Sequence, residues 1–189
     1  MELLIASNNK HKIEEIRTIL QGKFDKIFCL EDLGIVCDPE ENGTTFLENA
    51  LIKANAIRQY TSLPILADDT GLCVDALGGM PGIYSARYAG YHNHARNRQK
   101  LLHELSGKAD RSAHFETVVV LLYPDGKTVT ARGQVCGRIL EKEDGTNCFG
   151  YDSIFFCDEL NKSFGTATAE EKNVVSHRGR ALQNLLEQI

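Results

Sequence analysis

The chain has 189 residues, a formal net charge of -5 at pH 7 and a hydrophobic content of 42%. This length fits one large domain or two small lobes, and the apolar content suffices for a hydrophobic core. The acidic balance argues against a broad nucleic-acid surface, which needs a basic stripe, but it does not exclude a free nucleotide bound by a few lysines. No apolar run reaches the ~18 residues of a membrane span, and the N-terminus lacks the basic start of a signal peptide. The six cysteines show no Cys-x-x-Cys spacing, which favours reduced thiols in a cytoplasmic protein.

Hydrophobic periodicity and capping signals predict strands mixed with helices throughout the chain. Pro124, Asp125 and Gly126 predict the turn of one central hairpin. This order favours a single α/β domain over residues 1–189, with a mixed sheet flanked by helices. In chain order we predict a strand at 3–6, a helix after the polar loop 7–12, a strand at 26–30, a helix opened by Thr45 and Glu48, a strand at 65–67, a helix at 97–105, strands at 114–123, 128–140 and 153–156, and a terminal helix after a capping box at Thr168 and Glu171.

Two adjacent carboxylates, Asp68 and Asp69, follow the mostly apolar run over residues 63–67. Acidic side chains at the tip of a buried strand are costly unless a metal, a donor cluster or solvent is near. Ligands of open α/β sheets bind beyond the carboxyl ends of strands, so the pattern predicts a metal or acid–base site at a strand tip. The alternative is a turn or helix cap before Thr70 and Gly71.

The polar loop 7–12 joins a predicted strand to a predicted helix. Backbone amides at a helix start favour anions, which suggests a phosphate cradle, although no Walker loop or dinucleotide fingerprint is present. The alternative is an ordinary helix cap with solvated lysines. The candidate phosphate-binding residues of this loop are Ser7, Asn8, Asn9, Lys10, His11 and Lys12.

Asn49 and Lys53 lie four residues apart and therefore share a helix face. Lys53 is either a functional cation or a lysine that extends along an apolar surface to solvent. Glu40 and Glu41 in the preceding loop are either solvated or ligands of a hard cation, because Mg²⁺ prefers one or two carboxylates plus phosphate oxygens.

Two segments in the second half of the chain combine aromatic and basic side chains. Phe149, Gly150, Tyr151 and Asp152 could stack a flat base and bond to its edge, although these residues by themselves favour a turn with two core aromatics. Ser176, His177 and Arg178 open the last helix, where basic side chains are poorly placed unless an acceptor lies near, and Lys172 is just upstream. The His92-Asn93-His94 sequence lacks a third metal ligand at a sensible spacing and favours a surface loop.

Taken together and in this order, these segments resemble the inosine triphosphate pyrophosphatase family, which hydrolyses deaminated purine nucleoside triphosphates (ITP, dITP and XTP). The resemblance covers essentially the whole chain. Cys148 stands where the family often has glycine, which leaves the expected pocket residues in place. The matching motifs are Ser7-x-Asn9-x-x-Lys12, Thr45-Phe46-Leu47-Glu48-Asn49-Ala50 with Lys53, Ala67-Asp68-Asp69-Thr70-Gly71-Leu72, the Gly-rich stretch 78–88, Phe149-Gly150-Tyr151-Asp152, and Glu171-Lys172 with Ser176-His177-Arg178.

The resemblance implies a long, mixed, twisted sheet flanked by helices, with two lobes and a central cleft. It implies a homodimer, Mg²⁺ as cofactor, a free purine nucleoside triphosphate as the partner, and no nucleic acid or membrane partner. We expect Glu41 and Asp69 to bind Mg²⁺, Asp69 to accept the proton of the attacking water, and Asp68 to support it or replace it as the base. The expected substrate contacts are the 7–12 loop, Lys53, Thr70, Phe149, Gly150, Tyr151, Asp152, Lys172, His177 and Arg178.

Two alternatives stay open at this point. The chain could be a pyrophosphatase for other nucleotides such as dTTP or UTP, with the same phosphate machinery and a different base pocket. It could also be a non-catalytic nucleotide-binding module, which would bind without releasing pyrophosphate.

Overall fold

The computed structural model describes residues 1–90, 93–147 and 149–189, so His92 and Cys148 lie outside the described residues. Within these ranges the chain forms seven strands and five α-helices. The strands are Glu2–Ile5 (β1), Lys26–Cys29 (β2), Ile65–Val74 (β3), Ser112–Leu122 (β4), Thr128–Ile139 (β5), Phe155–Cys157 (β6) and Lys162–Ser163 (β7). The helices are Lys10–Ile19 (α1), Phe46–Ile57 (α2), His94–Glu104 (α3), Ala169–Val175 (α4) and His177–Leu186 (α5).

All seven strands belong to one sheet with the order β2-β1-β3-β4-β5-β6-β7. Strand β1 pairs in parallel with both β2 and β3, whereas β6 pairs antiparallel with both β5 and β7. Because parallel and antiparallel pairs share the sheet, the predicted mixed α/β sheet is confirmed. The turn after β4 closes with a hydrogen bond from the Tyr123 amide to the Lys127 carbonyl at 2.8 Å.

The chain divides into two compact units, and β3, β4 and β5 contribute residues to both. The first unit comprises Met1–Asp69, Thr117–Gly133 and Arg178–Ile189. Neighbouring side chains of a strand point to opposite sides of the sheet, and in this unit helices pack against both sides. Leu3 and Ile5 pack with α1 and α5, whereas Leu4 packs with the apolar side of α2.

The second unit comprises Thr70–Glu116 and Gln134–His177, and its core is rich in aromatic rings. Phe115 contacts Phe155 edge-on at a centroid distance of 4.7 Å and stacks on Phe164 at 6.2 Å. Tyr151 is buried in the same cluster, at 4% exposure. The predicted central cleft stays a prediction. No helix of the described part of the chain has both the length and the apolar character that a bilayer crossing demands.

The capping signals differ in how fully they are satisfied. Thr168 accepts from the Glu171 amide at 3.2 Å, and the Glu171 carboxylate accepts from the Thr168 amide at 3.0 Å, so this capping box is complete. Thr45 caps α2 by accepting from the Glu48 amide, but the Glu48 carboxylate accepts from Thr44 instead of Thr45. Only half of the first predicted box is therefore present.

Candidate active site

Asp68 and Asp69 lie in the middle of β3, because the strand continues to Val74. The prediction that the strand ends at these carboxylates is wrong, and so is the alternative of a turn at this position. Both side chains are buried in the first unit. A strand can carry adjacent carboxylates through its interior when cations meet each of them, and both aspartates have such partners.

Asp68 lies between two cations, the buried Arg178 and the partly buried Lys12. Its Oδ2 atom is 3.0 Å from Lys12 Nζ and 3.5 Å from Arg178 Nη2. Burial alone would raise the pKa of Asp68, but Lys12 and Arg178 together hold it well below its usual range. Arg178 also donates to Glu15 of α1. Asp68 is therefore an ionised counter-ion that orients Lys12 and Arg178.

Asp69 faces α2. Its Oδ1 atom is 3.2 Å from Lys53 Nζ, and its Oδ2 atom accepts from Asn49 Nδ2 at 3.2 Å. Burial raises the pKa of Asp69 against the lowering effect of Lys53. For Lys53, burial by itself lowers the pKa, but the neighbouring carboxylates outweigh burial and raise it. The two aspartates thus differ in chemistry: Asp68 is firmly ionised, and Asp69 is the more basic.

Glu41 joins the same cluster from the loop before α2. Its Oε2 atom is 3.2 Å from Lys53 Nζ, so Glu41 and Asp69 approach one ammonium group. Glu40 is exposed, whereas Glu41 is partly buried. Across residues 1–90, 93–147 and 149–189, no three or more His, Cys, Asp or Glu side chains gather into a metal-binding group. Two carboxylates still match the usual protein share of a Mg²⁺ site, where substrate phosphates and water supply the other ligands.

The 7–12 segment contains the predicted helix cap, and α1 begins within it at Lys10. Asn9 caps α1 by accepting from the Lys12 amide at 3.2 Å, and the Asn9 amide donates to Ser7 Oγ at 3.2 Å. Asn8 donates to the Cys37 carbonyl at 2.9 Å. Among the side chains, Lys12 reaches the Asp68 cluster, whereas Lys10 and His11 are exposed. The cap therefore fixes the start of α1 so that Lys12 points at a carboxylate.

The 149–152 segment lies in the second unit, where hydrogen bonds of the Tyr151 and Asp152 side chains hold it in place. Gly150 adopts a left-handed backbone with φ of +56°, which favours glycine. Tyr151 donates its hydroxyl to the Ser85 carbonyl at 2.8 Å. The buried Asp152 carboxylate accepts from Lys172 at 2.7 Å and from Asn147 at 3.2 Å. These hydrogen bonds fix the conformation of the turn and therefore the surface that it exposes.

The two aromatic side chains of this segment differ in exposure. Tyr151 is a core residue, so its ring packs inside the second unit. Phe149 is only partly buried, with Lys172 Nζ 5.8 Å from its ring centroid and the His94 ring edge-on at 5.5 Å. Phe149 and Tyr151 are the two residues whose rings were expected to stack on a base. Of these two residues, Phe149 is therefore the more exposed.

The model of the Ham1 family matches residues 3–188. The chain belongs to the Ham1 family. A Clostridium perfringens protein named dITP/XTP pyrophosphatase is 47% identical over 193 residues, covering 97% of this chain and 95% of that one. A Leuconostoc mesenteroides protein of the same name is 47% identical over 190 residues, covering 98% and 94%.

Solved structures agree with this assignment. The structure of the Staphylococcus aureus Ham1 protein is 39% identical, with a TM-score of 0.88 and coverage of 100% of this chain and 97% of that one. The family resemblance predicted from the sequence is thus confirmed.

The Ham1 chain does not bring all the basic side chains among the expected substrate contacts into one cluster of described contacts. Lys12 and Lys53 meet the paired aspartates, whereas Lys172 pairs with Asp152 in the second unit. His177 also belongs to the second unit, where its ring stacks on Phe115 at 4.7 Å. Thr70 follows Asp69 in β3 and is partly buried.

Sequence reasoning left several residues out of the candidate site. Asn49 was expected only to share a helix face with Lys53, yet it is fully buried and bonds to Asp69. The four-residue spacing was the signal that could have found it. Glu15 partners Arg178 across 163 residues of sequence, and no local pattern indicates that pairing.

Proposed function

We propose that this Ham1-family protein hydrolyses ITP, dITP and XTP to the nucleoside monophosphate and pyrophosphate. The observation that carries the proposal is the buried cluster on β3: Asp69 lies 3.2 Å from Lys53, and the neighbouring Asp68 lies 3.0 Å from Lys12. A cluster of ammonium groups with a more basic carboxylate suits a polyphosphate substrate attacked by water. The relatives named dITP/XTP pyrophosphatase support the choice of substrate.

The proposed reaction breaks the bond between the α- and β-phosphates. Lys12 and Lys53 neutralise the triphosphate and the departing pyrophosphate, because positioning and electrostatics dominate phosphoryl transfer. Asp69 accepts the proton of the attacking water. Asn49 fixes the orientation of the Asp69 carboxylate by bonding to Oδ2, which leaves Oδ1 on the side of Lys53. Asp68 stays ionised and holds Lys12 in place.

Mg²⁺ is the proposed cofactor, and Glu41 and Asp69 are its proposed ligands. Their carboxylates fit because both approach the same cation, Lys53 Nζ. When bound, Mg²⁺ neutralises phosphate oxygens and lowers the pKa of a coordinated water. The backbone of the 7–12 loop and the Thr70 hydroxyl complete the proposed phosphate contacts.

Base recognition is assigned to the second half of the chain. Phe149 stacks the purine, and Asp152, held by Lys172, lies at its edge. His177 and Arg178 act as donors to the 6-oxo group of hypoxanthine and xanthine. Arginine has no acceptor, so the 6-amino group of adenine would leave it unpaired, and such mismatches support large discrimination.

Pyrophosphate release from a nucleotide panel, with and without Mg²⁺, tests the proposal. We expect Mg²⁺-dependent release from ITP, dITP and XTP, with much lower kcat/KM for ATP. Preferred hydrolysis of dTTP or UTP would move the protein to the alternative substrate class. Nucleotide binding without pyrophosphate release would indicate the non-catalytic module, and equal kcat/KM for ITP and ATP would defeat the readout of the 6-oxo group.

The homodimer is also part of the proposal, carried by the family resemblance. Sedimentation equilibrium checks it, because a dimer has twice the 21.0 kDa mass of the chain.

A further inference from the structure

A buried arginine of α3 is bonded to the backbone of the 149–152 segment. The Arg98 side chain is 7% exposed. Its Nη1 atom donates to the Gly150 carbonyl at 3.0 Å, and its Nε atom donates to Glu143 Oε1 at 2.9 Å. A buried guanidinium is costly unless its hydrogen bonds are made in good geometry. The bond from Nη1 holds the turn that carries Phe149 and Asp152.

Glu143 extends the contact to the other end of the same segment. Its second oxygen, Oε2, accepts from Ser153 Oγ at 3.2 Å. Arg98 therefore holds Gly150 directly and, through Glu143, the residue that follows Asp152. The planar guanidinium suits this double task, because its donors are fixed relative to one another.

The neighbouring residue of α3 reaches the segment by a second route. Asn97 donates to the Ser85 carbonyl at 3.3 Å, and the same carbonyl accepts the Tyr151 hydroxyl at 2.8 Å. Arg98 thus bonds to Gly150 directly, whereas Asn97 and the Tyr151 hydroxyl share one acceptor, the Ser85 carbonyl. Gly150 adopts a left-handed backbone, and the Arg98 bond holds its carbonyl in that turn.

We propose that Arg98 is a positioning residue for the purine base: by fixing the Gly150 carbonyl, it sets the placement of the Phe149 ring and the Asp152 carboxylate. This inference rests on the proposed function, in which the 149–152 segment binds the base. In this role Arg98 acts through the Gly150 carbonyl and not by bonding to the base or the phosphates itself. Its loss should weaken base binding and leave phosphate binding intact.

The test compares Arg98→Leu with the matched control Arg111→Leu. Arg111 also clamps backbone carbonyls of the second unit, at Ile139 and Leu140, with donor distances of 2.6 Å and 2.7 Å. Hydrogen bonds from charged donors are the stronger class, so we expect Arg98→Leu to raise the KM for ITP about tenfold. We expect kcat to stay unchanged, because binding of the ground state and the transition state is weakened equally.

Three further readouts separate positioning from a general loss of structure. Inhibition by inorganic tripolyphosphate should be unchanged in Arg98→Leu. Amide hydrogen exchange of a peptide that spans residues 149–152 should become about tenfold faster in Arg98→Leu but not in Arg111→Leu, since the Gly150 clamp is gone. Arg98→Lys and Glu143→Gln, which keep part of the network, should give intermediate KM values even if Arg98→Leu folds poorly.

An unchanged KM for ITP in the Arg98 variants, or an equal rise in Arg111→Leu, would overturn the proposal. Unchanged exchange at 149–152 in Arg98→Leu would overturn it whatever the substrate is. A wild-type protein that releases no pyrophosphate from ITP would instead overturn the proposed function, so the two failures are distinguishable.

Discussion

Replacing Asp68 by Asn removes the negative charge that lies between Lys12 and Arg178. Asp68 and Arg178 are 2% exposed and Lys12 is 17% exposed, so water cannot fully compensate the two cations that remain. Removing one partner of a buried ion pair costs about 3–5 kcal/mol, and the retained amide oxygen places this variant near ~3 kcal/mol. At about 2–4 °C per kcal/mol for a chain of this size, Tm should fall by about 6–12 °C.

The neighbouring substitution Asp69→Asn should cost less stability. Lys53 loses one carboxylate partner but keeps Glu41 Oε2 at 3.2 Å, and burial opposes the negative charge of Asp69, as the raised pKa of its carboxyl indicates. Tm should therefore fall by less than in Asp68→Asn. Because Asp69 is the proposed base, kcat for ITP should fall by about 10²-fold or more.

Differential scanning calorimetry and steady-state pyrophosphate release, measured on both variants at pH 7, check these expectations. The adjacent positions control for each other, since both are Asp→Asn changes in the same strand. The reasoning would be refuted if Asp69→Asn lost more Tm than Asp68→Asn. Near-wild-type turnover in Asp69→Asn would remove Asp69 from the mechanism.

Three further outcomes follow from the same contacts. Lys53→Met should lower kcat/KM for ITP about 10²-fold in steady-state kinetics, since the positive charge beside Asp69 is lost. The control Lys108→Met changes an exposed lysine and should leave kcat/KM unchanged. Phe149→Leu should raise the KM for ITP about tenfold, because stacking on the base is lost. Tyr151→Phe should leave that KM unchanged, but it removes the hydrogen bond to Ser85 and should lower the free energy of unfolding in urea by ~1 kcal/mol. The pKa of Asp68 is lower in the folded state, so its contribution to stability is complete above pH 3.8 and is lost as the pH falls below that value. In acid unfolding followed by circular dichroism, Asp68→Asn should therefore lose less stability than the wild type.

Local signals predicted most elements because they depend on neighbours in sequence. The short apolar run of β1, the hairpin turn before β5 and the capping box at Thr168 all appear where the pattern indicates. The end of β3 was predicted wrongly because two carboxylates read locally as a turn. Their neutralising cations come from α1, α2 and α5, so only the folded chain shows that a strand can pass through them.

The same distinction holds for the candidate site. Motifs identified Lys12, Lys53 and Asp69 as candidate site residues, since charged side chains in mostly apolar stretches are costly to bury unless they pair or bind a ligand. They could not separate the roles of Asp68 and Asp69, which differ only in the cations and amides that face each carboxylate.

By itself, the sequence determined the alternation of helices and strands, the family and the set of reactive groups, because periodicity, caps and motifs are properties of short stretches of chain. Only the tertiary structure decided that Asp68 is a counter-ion, that Tyr151 belongs to the core and that Arg98 clamps Gly150. Those outcomes depend on which distant side chains share a buried space, and burial and charge pairing act through space, not along the sequence.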